Sequence, residues 1–184
     1  MSRIGHHIAR LSGVGTLCKP LIAAAITAFI TGSVIAAELA PIDAAGIVNA
    51  PPAEVGKVWT TGPDLGPWLA PHAGFDLRLG GLMRTNLIPT GTHGDEGTIV
   101  NRVPALKPER MLTIQVARTP STLPFPNAVR SLWTVLYFAP ADGGCTHDRV
   151  VGMGFADDAE STEMREFSKR GNDSTLQQWQ KHFQ

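Results

Sequence analysis

The sequence predicts an α+β domain in which a curved antiparallel sheet wraps around a long C-terminal helix. Three observations carry that reading. Between Phe75 and Phe155, apolar residues recur with a period of two in short runs broken by Gly and Pro. From Asp157 onward the period lengthens to that of a helix and stays so to the end. Ahead of the sheet, Pro52 and the Gly62-Pro63 pair bracket a stretch with room for only a turn or two of helix.

The elements follow in order. Residues 37–45 read as a flexible lead, and Ile47-Val48-Asn49 as a brief strand that ends at Ala50-Pro51-Pro52. Pro52 suits a first helical turn, where its missing N–H costs nothing, and Val55, Val58 and Trp59 then recur at helical spacing. Asp64 to Leu69 reads as one short helical turn closing on Pro71. Phe75, Leu77 and Leu79 alternate with Asp76 and Arg78 as a half-buried strand, and Gly80-Gly81 turns the chain into a second strand over 82–88. A third strand spans 97–103, stopped by Pro104, and a fourth spans 111–117. Residues 119–127 hold three prolines and read as a long loop. Strands over 132–138 and 150–155 flank a hairpin turn at Asp142-Gly143-Gly144. In the last helix Asp157 or Asp158 caps, Glu160 and Glu163 suit the early turns, and Met164, Phe167, Gly171, Trp179 and Phe183 form an apolar stripe.

The 184 residues suit one ordinary domain with an appended segment. With 43% hydrophobic and 17% charged residues, the chain is neither disordered nor a coiled coil. Lys+Arg and Asp+Glu both total 16, and no basic stripe points to nucleic acid. The charges are unevenly spread: residues 1–36 carry Arg3, Arg10 and Lys19 and no acid. Behind these cations come the apolar run Leu21 to Ile30 and the small-residue site Val34-Ile35-Ala36. That order is the layout of a secretory signal peptide over residues 1–36, cut after Ala36, which predicts a periplasmic or secreted protein. The alternative is an uncleaved anchor, since Leu21 to Ala37 is uncharged and at the lower limit of a membrane span. After the cut only Cys145 would remain, so no internal disulfide is expected.

Motifs for chemistry are sparse. The six histidines stand at no metal-ligand spacing to one another or to a cysteine, so no metal and no cofactor is expected. There is no phosphate loop and no Gly-x-Ser-x-Gly elbow, and no catalytic residue is assigned. The adjacent acids Asp95-Glu96 lie between Gly94 and Gly97 and read as a turn rather than an acid–base pair. Arg84 and Asn101 interrupt apolar strands; they either place a hydrogen bond inside a cavity or face solvent by alternation. Trp133 and Tyr137 alternate onto the face opposite the core, which points to a partner contact or a homodimer.

Several segments resemble the START-like superfamily, also called SRPBCC, with the helix-grip fold of the birch-pollen allergen. They are Ile47 to Glu54 (IVNAPPAE), Trp59-Thr60-Thr61, Trp68 to Pro71, Asp76 to Gly81 (DLRLGG), Gly94 to Val100 (GDEGTIV), Gly144 to Phe155 and Phe167 to Asn172. The likeness is strongest to the branch related to the activator of the ninety-kilodalton heat-shock-protein ATPase, and covers the domain read as residues 46–184 almost throughout. Asp148 departs from the pattern, standing where the family has an apolar residue.

The resemblance implies a cavity between sheet and helix that holds a small apolar or amphipathic molecule. Phe75, Leu77, Leu79, Met83, Leu136, Phe138, Met164 and Phe167 would point into it, with Trp68 at its mouth; otherwise these side chains simply pack on one another. Arg84, Asn101 and Asp148 are the polar candidates for its wall. The same fold also carries cyclases, hydrolytic enzymes and chaperone-activating modules, which stand as alternatives.

Overall fold

The computed structural model describes residues 37–184, so the predicted signal segment, 1–36, lies outside the described residues. One seven-stranded antiparallel sheet holds β1 (Ile42–Val48), β2 (His72–Phe75), β3 (Leu82–Asn86), β4 (Ile99–Lys107), β5 (Met111–Arg118), β6 (Trp133–Pro140) and β7 (Thr146–Met153). Its order is β1-β7-β6-β5-β4-β3-β2. Two short helices, α1 (Pro52–Lys57) and α2 (Gly62–Leu65), bridge β1 to β2 across the sheet, and α3 (Ala159–His182) lies along the concave face. This is the predicted α+β architecture, a helix-grip fold. No helix of the described residues is long and apolar enough to cross a membrane.

Local chemistry sets the boundaries. Asp158 caps α3 by accepting from the Ser161 N–H at 2.7 Å, and Lys181 and His182 occupy its last turn. Thr61 caps α2 from its side chain, and Pro51-Pro52 start α1. The first strand begins at Ile42, five residues earlier than the sequence reading put it. Ile42, Ala44 and Val48 alternate inward, but alanines and a glycine make that alternation faint. The lead is docked as well: the Leu39 N–H donates to Phe155 at 2.7 Å and the Asp157 N–H to Ala37 at 3.0 Å.

Further departures concern the strands. β2 stops at Phe75, and Asp76 to Gly81 is a tight turn in which Arg78 pairs with Asp76 and Gly80 adopts φ +75°. Leu79, predicted inward, is therefore 64% exposed. Pro104 does not end β4, because it sits at a register irregularity between Arg102 and Ala105 where no ladder N–H is needed. β7 begins at Thr146, whose hydroxyl donates to the Ala50 carbonyl at 2.7 Å.

The core has two parts. The larger gathers Val48, Val55, Leu65, Leu112, Leu136, Phe138 and Val150 around three tryptophans, Trp59, Trp68 and Trp179. Trp59 meets Trp68 and Trp179 edge-on at 4.8 and 5.1 Å, and Phe138 meets Trp179 edge-on at 5.5 Å. The smaller part holds Ile42, Phe125, Val129, Leu132, Phe155 and Met164. Helix α3 joins both, burying Ser161, Met164, Ser168, Leu176 and Trp179. Phe167, predicted on this stripe, lies on its flank: it is 44% exposed and tilts against Phe125 at 5.5 Å.

Gly46 lies directly under the last turns of the helix and leaves room for the Gln180 amide. A methyl group there would meet Gln180 at 2.5 Å and Leu176 at 3.4 Å. Trp179, fully buried, is the side chain this approach brings into the core. Trp179→Ala should therefore cost about 3–5 kcal/mol, read as a lower urea midpoint. An unchanged midpoint would show that the cluster does not hold the helix down.

Candidate functional site

Two cavities flank Trp59. A chamber of about 190 Å³ lies between the concave sheet and the middle of α3. Its apolar wall includes Met83, Ile114, Leu136 and Val150, and its polar wall Thr85, Asn101, Thr134, Asn172 and Thr175. On the other side of Trp59, a cleft of about 340 Å³ opens between α1 and the β4–β5 turn. Leu77, Leu106, Leu112 and Phe138 line that cleft, with Lys57, Lys107 and Glu109 around it.

The polar wall of the chamber is built by periodicity. Met83 and Thr85 share one face of β3, and Met83 stands opposite Asn101 on β4. On α3, Ser168, Asn172 and Thr175 follow one another at three- and four-residue steps on the inward arc between Met164 and Trp179. Among the described residues, the Asn172 Nδ2 and the Ser168 Oγ are buried with no hydrogen-bond partner. Asn172 belongs to the chamber wall, while its Nδ2 packs toward Gly152 beside Ile42 and is unpartnered there.

The predicted site residues separate. Met83, Leu136 and Asn101 line the chamber, and Leu77 and Phe138 line the cleft. Phe75 is half-buried against the larger core. Trp68 is not at the mouth of either cavity: it is 8% exposed, packed within the tryptophan cluster. Met164 belongs to the smaller core and Phe167 to the surface, so neither reaches a cavity. Arg84 lies on the face of β3 opposite Met83 and Thr85, as alternation dictates, and so lines no cavity. Trp133 and Tyr137 do face away from the core, each 38% exposed.

Sequence reasoning missed Trp59 as the shared wall, along with Thr85, Ile114, Thr134, Asn172 and Thr175. The signal for the helix residues was present as small polar side chains at inward spacing, which the apolar stripe obscured.

Asp95 has a structural task. Its carboxylate accepts from the N–H groups of Thr92 and Gly97 and from Asn86, each at 2.8 Å, clasping the β3–β4 loop. The Thr92 N–H foremost holds its carboxyl below the usual carboxylate range, the wrong direction for a proton shuttle. Among the described residues, no group of three or more His, Cys, Asp or Glu is gathered to hold a metal ion.

Asp148 lines neither cavity. In register it lies between Gly46 of β1 and Phe138 of β6, on the face that α3 covers, and it is fully buried. Neither carboxyl oxygen has a hydrogen-bond partner among the described residues. Burial alone pushes its pKa up to about 8, so the folded protein holds it mainly protonated at neutral pH.

No protein-family model matches the chain. No curated protein matches it either. Solved structures do. The Aha1 dimer from Colwellia psychrerythraea superposes with a TM-score of 0.63 at 12% identity, over 79% of this chain and 96% of that one. Protein MLL2253 from Mesorhizobium loti gives 0.60 at 16%, over 77% and 95%. CalU16 from Micromonospora echinospora gives 0.54 at 17%, over 75% and 72%. At such identities the likeness shows the fold alone: this chain has the helix-grip fold that these structures share.

The Asp148 proton has a consequence for stability. Its folded pKa lies above the unfolded value, so the folded state retains a proton that the unfolded chain has released between about pH 4 and 8. Stability is full below that window and falls as pH rises through it, by roughly 3–4 kcal/mol from pH 5 to 8. Asp148→Asn keeps the shape and cannot ionise, and should flatten that slope in urea titrations at pH 5, 6.5 and 8. A slope identical to wild type would place the titration elsewhere.

Proposed function

We propose that this protein is an exported carrier of a small, largely apolar molecule bearing a hydrogen-bond acceptor, held in the chamber between the sheet and α3. The observation that carries the reading is the mixed wall of the chamber, in which Met83, Ile114, Leu136 and Val150 stand with the amides of Asn101 and Asn172 and the hydroxyls of Thr85, Thr134 and Thr175. A ligand carbonyl, ether or phenol oxygen would accept from those amides and hydroxyls, and a ligand that left a buried donor unpaired would forgo about 1–3 kcal/mol. The chamber is slightly larger than the roughly 150 Å³ that holds a benzene ring, so a monocyclic ligand matches its size. Burying about 200 Å² of such a ligand gains about 5 kcal/mol, enough for millimolar to micromolar affinity. None of the side chains lining the chamber is an acid or base, which favours holding a ligand over proton-transfer chemistry.

Trp59 walls both cavities, so a change in tryptophan emission on ligand addition that Trp59→Phe removes reports occupancy. Cresol and acetophenone should bind, and Ile114→Trp, which fills the chamber, should abolish binding while costing about 1–3 kcal/mol of stability. Asn172→Leu should weaken both ligands about tenfold yet leave toluene unchanged, since only the donor is lost. If Ile114→Trp binds the panel as wild type does, or if wild type binds none of it, the carrier reading fails.

Export rests on the charge and apolar order of residues 1–36. A cut after Ala36 would spare every described element, the first contacts among the described residues being those of Ala37 and Glu38. Intact mass of the protein from the exported fraction should correspond to a chain starting at Ala37. A full-length mass in the cytosol would overturn export and leave the chamber reading untouched.

A further inference from the structure

Where β4 and β5 meet the proline-rich segment 119–127, the surface carries a third concavity of about 600 Å³. Arg102 of β4, Arg118 at the end of β5 and Arg130 in the turn before β6 all line it. Arg118 donates from Nη2 to the Asp95 carbonyl at 3.4 Å, and Arg130 from Nε to the Pro126 carbonyl at 3.1 Å. Carbonyl partners orient a guanidinium without neutralising it.

Ion pairs among the described residues use Arg78, Arg149, Arg165 and Lys169 and none of these three arginines. The carboxylates of Asp95 and Glu160 keep their charge but point at loop N–H groups rather than at these arginines. Asp95 is held by the loop N–H groups of Thr92 and Gly97, and Glu160 by those of Asn127 and Ala128. Three guanidinium groups therefore share one concavity with no carboxylate at ion-pair distance. That concentrates positive potential in a protein whose formal net charge is zero.

Planar guanidinium forks match phosphate oxygens two at a time, and three of them suit a group of more than one charge better than a lone carboxylate. Thr119 and Ser121 add hydroxyl donors from the loop, whereas Val116, Leu123 and Val129 give the same concavity apolar wall. We propose that this cleft binds a phosphate monoester carried on a small apolar body. Arg102 and Arg118 grip the phosphate, and Val116 and Leu123 contact the body. The site is independent of the chamber.

The full chain is titrated at low salt, in phosphate-free buffer, with inorganic phosphate, hexyl phosphate and hexanol, followed by calorimetry and amide chemical shifts. Hexyl phosphate should bind about tenfold more tightly than inorganic phosphate, shift the Arg102, Arg118 and Ser121 amides, and weaken as salt rises. Hexanol should leave those amides alone. The double variant R102Q/R118Q changes only exposed side chains and should lose binding about tenfold or more. K169Q/R170Q removes equal charge from the exposed side of α3 and should bind as wild type does. Ile114→Trp should also bind hexyl phosphate normally, which separates this site from the chamber.

Sedimentation with vesicles containing phosphatidic acid forms a second arm. Binding there that R102Q/R118Q abolishes would assign the phosphate to a lipid headgroup; binding confined to hexyl phosphate would assign it to a soluble ester. The proposal is overturned if wild type binds in neither arm, or if R102Q/R118Q binds as tightly as wild type.

Discussion

The aromatic wedge formed by Trp59, Trp68, Trp179 and Phe138 is the contact on which the rest of this domain depends. Its members come from the segment after α1, the segment after α2, the end of α3 and the middle of β6. One packed cluster therefore ties the short helices, the C-terminal helix and the sheet together, with edge-to-face geometry adding to the area each ring removes from water. The wedge fixes only one end of α3. The other end is held by the Asp158 cap and by Met164 among Phe125, Phe155 and Leu132. Between the two anchors the inward residues are Ser168, Asn172 and Thr175, too small to fill the space beneath them. A helix pinned by large side chains at both ends and lined by small ones between cannot settle onto the sheet. The chamber is the gap that remains.

The same close approach accounts for the least comfortable group in the molecule. The last turns of α3 lie over Gly46 of β1, and Asp148, its partner in register on β7, is fully buried. An ionised carboxylate in that position would have no donor within reach, so the proton stays on. Protonation limits the penalty to that of a neutral polar group, which a well-packed core can absorb. Stability and pH are thereby coupled through a residue that lines no cavity. A pH effect on folding in this protein need not signal acid–base chemistry at a site.

Much of the fold was legible because its signals are local. Period-two alternation marked the central strands, prolines marked the start of α1 and the long loop, and a capping aspartate marked α3. Failures arose where tertiary contact overrode pattern. Leu77 and Leu79 alternate as a strand would, yet the Arg78–Asp76 pair and the positive φ of Gly80 fold that stretch into a turn. The alanine-rich start of β1 carries too little hydrophobic contrast to be read as a strand. Pairing with β7 defines it. Of the site, Met83, Leu136 and Asn101 were legible from strand alternation, and Leu77 and Phe138 reached a cavity of their own. Trp68 and Met164 misled for one reason: apolar character says that a side chain will be covered, not which of two cores covers it or whether a cavity adjoins it, and Phe167 on the flank of α3 is not covered at all. Asn172 and Thr175 could not be selected on hydrophobicity at all, because what makes them notable is polarity on an inward face.

That inversion bears on how the chamber can discriminate. An apolar wall accepts any molecule of suitable size, and an added methylene changes affinity by only about 1–3 kcal/mol. A buried donor acts differently, because a ligand without an acceptor leaves it unpaired and loses the full compensation. In a space of about 190 Å³ walled by Met83, Ile114, Leu136, Asn101 and Asn172, the apolar side chains would set the affinity of the proposed ligand and the polar ones its orientation. Trp59 then acts as more than a wall. It is 3% exposed and separates the chamber from the outer cleft, so a ligand entering from that side must displace a ring held edge-on by two other indoles. Exchange by that route is governed by the packing of the aromatic wedge rather than by the ligand's own contacts. The packing that holds the fold together thus also forms the partition between its two cavities.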